Sequence, residues 1–156
     1  MQWDEAAKID WGIILLFGGG LSLGILAFQA GLAESLGKGL AYAVPTHSSL
    51  GLVVLATLTA TLVSEVTSNT ASANMVVPVV IVIAQAAGVD PLAPALAATL
   101  GSGLGFMLPV STPCNAIVYS SGYVPLRQMM AYGLLLDVVG IIVIIAAVQL
   151  LVPLVR

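Results

Sequence analysis

Two polar segments interrupt a chain that is otherwise too apolar for water. They are Ser68-Asn69-Thr70 and Pro109-Val110-Ser111-Thr112-Pro113-Cys114-Asn115, and long apolar runs flank each. Hydrophobic residues fill 60% of the 156 positions and charged residues 7%. A soluble domain carries roughly 25% charged residues, so this chain lacks the polar surface of a water-facing fold and belongs in a bilayer. Unwound backbone in hydrocarbon is tolerated only where protein or a watery cavity satisfies its N–H and C=O groups. Two breaks that carry hydroxyl and amide side chains at membrane depth are what a solute or ion site near the bilayer midplane requires. The pattern implies part of a transporter.

The same composition excludes other classes. Four basic residues against seven acidic ones leave a net charge of −3. Without a basic patch, binding to nucleic acid or to the surface of anionic membranes is not expected. His47 and Cys114 are each the only residue of their kind, so neither a catalytic triad nor a zinc site nor an intrachain disulfide is expected, and no enzyme activity. Gly101, Gly103 and Gly105 lack the spacing and the surrounding strand–helix unit of a nucleotide loop; close helix packing explains them better. The start, Met1-Gln2-Trp3-Asp4-Glu5, lacks the basic lead of a secretory signal, so the first apolar run is expected to be a mature helix.

Along the chain, residues 11–30 form an uncharged span with Asp10 as a plausible N-cap. Its Phe17-Gly18-Gly19-Gly20 run suits a close helix–helix contact. Residues 31–43 place Leu32, Leu36 and Leu40 on one stripe, with Glu34 and Lys38 between, the pattern of a short interfacial helix. From Leu50 the apolar run lasts about 15 residues, or about 22 Å, before Ser64-Glu65, short of the roughly 30 Å hydrocarbon core. Residues 49–88 are therefore expected to form a re-entrant hairpin with the Ser-Asn-Thr tripeptide at its tip, the clustered polar residues favouring this over two continuous spans that make one long, polar-waisted helix. Residues 91–123 form a helix, Leu92 to Leu108, that opens at Pro109 and Pro113 and resumes at Asn115. Residues 128–153 form a last span, interrupted only by Asp137. Trp3, Trp11 and Tyr123 suit interfacial anchoring. The expected architecture is a single all-α integral membrane domain.

The chemistry at the breaks suits an ion and an anion together. Hard cations take carbonyl, hydroxyl and amide oxygens, which Ser64, Thr67, Ser68, Asn69 and Thr70 offer at the tip and Ser111, Thr112 and Asn115 at the second break. The N-termini of the helices that follow bring positive dipole ends for an anion. Glu65 and Asp137 are carboxyl groups at membrane depth, which are functional candidates by default; for Asp137 the better reading is a protonated, hydrogen-bonded residue of its helix. For Glu65 the better reading is an acceptor for the unwound tip or a neighbouring loop.

Ser64-Glu65-Val66-Thr67-Ser68-Asn69-Thr70-Ala71 and Phe106-Met107-Leu108-Pro109-Val110-Ser111-Thr112-Pro113-Cys114-Asn115-Ala116-Ile117-Val118, with Asp10-Trp11-Gly12 and Phe17-Gly18-Gly19-Gly20 before them, resemble the C-terminal half of the divalent-anion:sodium symporter family. That resemblance implies half of an inverted-repeat transporter, with one hairpin and one broken helix per repeat, working as a homodimer in the plasma (inner) membrane. It implies sodium-coupled transport of dicarboxylates, tricarboxylates or sulfate, and a C-terminus on the outer side. By position it assigns sodium to Ser64, Thr67, Asn69 and Ser111, some through backbone carbonyls, and substrate to Ser68, Asn69, Thr70, Thr112 and Pro113. Ser64 stands where the family commonly has Thr, Cys114 where it frequently has a second proline, and Asp137 where it often has Asn. One Ser-Asn-Thr motif is present, so the resemblance supplies half of a site and implies an N-terminal half or a second copy as partner. The reading from a different class is a non-transporting membrane subunit or a truncated relic, which sodium and dicarboxylates would not stabilise.

Overall fold

The computed structural model describes residues 48–154 and, before them, Leu15, Ser22, Leu26 and 29–31. The span expected at 11–30 and the interfacial helix expected at 31–43 lie outside the described residues, apart from those isolated positions. The described chain is helical: α1 (Ser49–Val66), α2 (Asn69–Ala86), α3 (Leu92–Gly101), α4 (Pro113–Ser120) and α5 (Leu126–Leu151), closed by a 3-10 turn at Val152–Leu154. Helices α1, α2 and α5 are long and apolar enough to cross a membrane, which agrees with an all-α membrane protein.

Helix α1 is the centre. Ser48 caps it by accepting the Gly51 N–H at 3.0 Å, and its residues are buried on almost every side, as an all-round apolar helix must be. Its threonines stay in the interior because their hydroxyls bond back along the helix: Thr57 to the Val53 carbonyl at 2.8 Å and Thr61 to that of Thr57 at 2.9 Å. The helix also continues through Ser64 and Glu65 to Val66, a turn further than the polar residues suggested, because both side chains find partners on neighbouring segments. At 18 residues it reaches about 27 Å, nearer the bilayer's thickness than the apolar run implied.

Helix α2 folds back along α1. The Ser72 hydroxyl donates to the Ala60 carbonyl at 2.7 Å, and Val63, Ala60, Ala56 and Val53 pack with Met75, Val76 and Val80. The far end of α2 closes by a two-bond C-cap: Val89 N–H reaches the Ala84 carbonyl at 2.9 Å and Gly88 N–H that of Gln85 at 3.1 Å. Gly88 takes the left-handed φ of +68° this cap requires. Asp90 then accepts the Leu92 N–H at 3.0 Å to start α3.

Helix α3 lies tight against α1 through small residues, Ala93, Ala97 and Ala98 facing Ala56 and Ala60. At Gly101 a Cβ would stand 2.9 Å from the Thr57 carbonyl oxygen, and Thr61 donates to the Gly101 carbonyl at 3.2 Å. The helix stops there. The second break therefore begins at Ser102, ahead of the expected opening at Pro109, and α4 resumes at Pro113 rather than Asn115. Helix α5 meets this body along one narrow line of residues, including Met129, Gly133, Asp137 and Val148.

Candidate functional site at the two helix breaks

The last turn of α1 carries Ser64 and Glu65, and each reaches the second break. Ser64 Oγ lies 2.8 Å from Asn69 Oδ1 and 2.7 Å from the Ser102 carbonyl oxygen, while Asn69 Nδ2 donates to the Gly103 carbonyl at 3.4 Å. Gly105 closes the group. A Cβ there would lie 3.1 Å from Ser64 Oγ, 3.2 Å from Asn69 Oδ1 and 3.4 Å from Ser111 Cβ. Neutral oxygens from two helix ends and the opened backbone thus meet at a position where a Cβ would be crowded, and this donor set suits a hard monovalent cation. Among the described residues no cluster of three or more His, Cys, Asp or Glu exists that would hold a transition metal.

Glu65 serves the loop. Its carboxylate accepts the Met107 N–H at 3.1 Å on Oε1 and the Leu108 N–H at 3.2 Å on Oε2. Ser111 Oγ donates to the Glu65 backbone carbonyl at 2.7 Å and lies 3.3 Å from Oε2. From the other side Asn115 Nδ2 donates to the carbonyls of Gly105 at 2.8 Å and Leu108 at 3.0 Å. Pro109 occupies the second place of a tight turn closed by Ser111 N–H to the Leu108 carbonyl at 3.2 Å, a position its fixed φ suits.

Ser68, Asn69, Thr70, Phe106, Ser111, Thr112, Pro113, Cys114 and Asn115 line one cleft of about 570 Å³. The first turns of α2 and α4 both open into it. Their caps are alike: Ser68 Oγ accepts the Ala71 N–H at 3.2 Å and Thr112 Oγ1 the Asn115 N–H at 3.1 Å. Two helix N-termini with free N–H groups and dipole ends on one cleft make a favourable setting for an anion.

The five positions expected to contact substrate, Ser68, Asn69, Thr70, Thr112 and Pro113, all lie on this cleft. Of the four expected to hold sodium, Ser64 and Asn69 stand together. Ser111 is on the cleft wall with its hydroxyl committed to Glu65. Thr67 is buried and gives its hydrogen to the Val63 carbonyl at 2.7 Å, so its hydroxyl is turned along its own helix. Sequence reasoning missed the carbonyls of Ser102 and Gly103 and the role of Gly105. The alternating glycines are the available signal, and close helix packing accounts for only part of them.

A helical membrane protein whose polar site is built where helices break is the class that this fold and cleft define. Residues 1–155 match the model of the sodium:sulfate symporter transmembrane region. The chain belongs to that family, whose members are symporters rather than enzymes. It is 36% identical over 153 residues to the sodium-dependent dicarboxylate transporter SdcS of Staphylococcus saprophyticus, covering 98% of this chain and 29% of that protein. It is also 36% identical over 155 residues to SdcS of Staphylococcus aureus strain MRSA252, covering 99% of this chain and 30% of the relative. The chain thus spans about three-tenths of the length of the curated relatives it matches.

Proposed function

We propose that the chain supplies the C-terminal half of a sodium-coupled symport site for a dicarboxylate, a tricarboxylate or sulfate, in a multi-pass protein of the plasma membrane. The observation that carries this reading is the junction of the two breaks: Ser68-Asn69-Thr70 and Thr112-Pro113 share one cleft, while Ser64 Oγ and Asn69 Oδ1 meet 2.8 Å apart. In this reading α1 and α2 form a re-entrant hairpin that presents the Ser-Asn-Thr tip at mid-membrane. The anion sits before the N-termini of α2 and α4 and takes hydrogen bonds from hydroxyls and N–H groups. Sodium sits at Gly105 among Ser64, Asn69 and the Ser102 carbonyl, with Ser111 and the Thr67 backbone near the edge. Asn69 borders both ligands, so each steadies the other's contact, and that is a physical basis for coupling.

The remaining ligands come from an N-terminal half of the same kind of protein. The test is to reconstitute the chain in liposomes alone and with the N-terminal remainder of a staphylococcal SdcS, and to measure sodium-driven uptake of succinate, citrate and sulfate. Saturable uptake only in the combined preparation is expected, together with a sodium-dependent rise in its melting temperature. Robust uptake by the chain alone would overturn the half-site reading. A combined preparation that neither transports nor gains stability from sodium or any of the three anions would favour a non-transporting subunit.

A further inference from the structure

We infer that the outer face of α2 at Asn74, Pro78 and Val82 is a docking surface for a helix of the transporter that lies outside this chain, with Asn74 as its hydrogen-bonding point. The three residues follow one another at one-turn intervals on a single row. All are exposed, Val82 by 63%. Asn74 lies about 18 Å along α2 from its end at Ala86. With the turn at Gly88–Asp90 at the membrane surface, as the hairpin reading has it, this amide sits near the middle of a hydrocarbon core of about 30 Å. Its side chain makes no hydrogen bond among the described residues. Pro78 adds a second unmet group. It lies inside the helix without an N–H, so the Asn74 backbone carbonyl loses its donor from the next turn.

Lipid cannot answer these groups. Thr99, exposed on α3, can face hydrocarbon because its hydroxyl donates to the Ala95 carbonyl at 2.8 Å. Asn74 has no such internal bond for its side-chain donors and acceptor. Carbonyls freed by a membrane proline are satisfied by neighbouring helices, and an amide on an otherwise apolar face is a common interhelical contact. Half-buried Ala73, Val77 and Ile81 flank the row, so apolar packing would surround the hydrogen bonds, whereas a water path would ask for a polar row. The occupant follows from what adjoins this face and from what the chain lacks. Thr70 starts the same row one turn before Asn74 and lies on the cleft, so a helix that covers Asn74 also borders the cleft. The chain spans about three-tenths of the length of its relatives, and the rest of such a protein is long enough for several further spans. Within the chain's own first apolar run, Leu15, Leu26 and Gln29 are exposed, so at those positions it is not packed on this row. The partner is a helix or helix break that carries hydroxyl or amide side chains, with a donor for the Asn74 carbonyl and a donor and an acceptor for its amide.

Only the identity of the partner rests on the half-site reading, and the test separates the two. The purified full chain is combined with the N-terminal remainder of a staphylococcal SdcS, with a benzophenone amino acid in place of Pro78 or Val82. The control carries it in place of Leu135, on the exposed face of α5. On irradiation the remainder, identified by mass spectrometry, should be joined to positions 78 and 82 and not to 135. In a titration of the two parts in detergent micelles, Asn74→Leu should weaken their association about threefold to thirtyfold, the worth of hydrogen bonds between membrane helices. Asn74→Gln should recover most of that loss. Should the leucine variant fail to fold, the crosslinks still decide, since they leave Asn74 in place. With the remainder bound, joining of 78 and 82 only to lipid, to a second copy or to residues 11–30 would overturn the inference and leave the half-site reading standing. Unchanged association of a folded Asn74→Leu chain would overturn the role of Asn74. A remainder that does not bind the parent chain at all would overturn both readings, and docking as expected without sodium-driven uptake would count against the proposed function alone.

Discussion

At the hairpin tip the backbone leaves helical geometry only at Thr67 and Ser68, and several of the groups it frees are answered on the spot. Ser68 takes the Ala71 N–H on its hydroxyl and the Ser72 N–H on its carbonyl, and Thr67 bonds back to Val63. Between Ser102 and Thr112 the opening is several times longer, and much of its satisfaction is imported. Glu65, Ser64 and Asn69 reach it from the hairpin, and Asn115 from the helix beyond. One break has a shape of its own; the other is folded onto it. The cleft is therefore assembled in a hierarchy, with the end of α1 as template and residues 105–112 as the part that takes its form from the template.

The most severe way to probe this hierarchy is Glu65→Leu, which strands the Met107 and Leu108 amides while the Ser111 hydroxyl keeps the Glu65 backbone carbonyl. Stranded donors cost about 1–3 kcal/mol each when buried, and these two amides are half-buried, so a loss of roughly 2 kcal/mol or more is expected in denaturant unfolding. The asymmetry itself can be read with cysteines at Thr70 or Thr112 in a Cys114→Ser background. Both should react with small water-soluble thiol reagents, and Glu65→Leu should change the rate at position 112 far more than at 70. Equal changes at the two positions would mean the breaks are not ranked.

Asn69→Ala tests the member common to both regions. In a completed site it should weaken sodium and anion together by about ten- to hundredfold, the worth of hydrogen bonds to charged groups. Thr112→Ala should weaken the anion more than sodium in the same binding titrations. Gly105→Ala pushes a methyl group toward Ser64 Oγ and Asn69 Oδ1. Crowding of this kind costs about 1–3 kcal/mol, so sodium affinity should fall by about tenfold, with less effect on the anion. The smallest effect belongs to Ser68→Ala at the self-sufficient break, about 1 kcal/mol for a lost helix cap, measured as a shift in unfolding midpoint.

What the sequence made legible follows from how local each cause is. The hairpin tip was readable because Ser68-Asn69-Thr70 sits between apolar runs and Ser68 is a cap to its own helix. Glu65 as an acceptor for a neighbouring loop was readable from the expense of a carboxylate at membrane depth. The early stop of α3 was not. Leu104 to Leu108 is as apolar as any span, and Gly101, Gly103 and Gly105 fit close helix packing and open backbone equally well. The choice is made by Ser64, Asn69 and Glu65, distant in sequence, which offer the freed carbonyls and amides better partners than another helical turn would. The continuation of α1 past Ser64 has the same origin, since those polar side chains are answered by residues 102–111.

The contact line of α5 has a consequence for how freely the chain can change. Gly133 fits the Phe106–Met107 backbone, Asp137 is buried, and Gly140 lies over the Leu104 side chain, while Leu134, Leu135, Leu136, Val138 and Val139 are exposed among the described residues. A saturation-mutagenesis survey of this helix should therefore record tolerance that rises and falls with the helical period. Apolar exchanges should pass almost unnoticed on the outer face, and at 133, 137 and 140 the information content should rival that of the Ser-Asn-Thr tip.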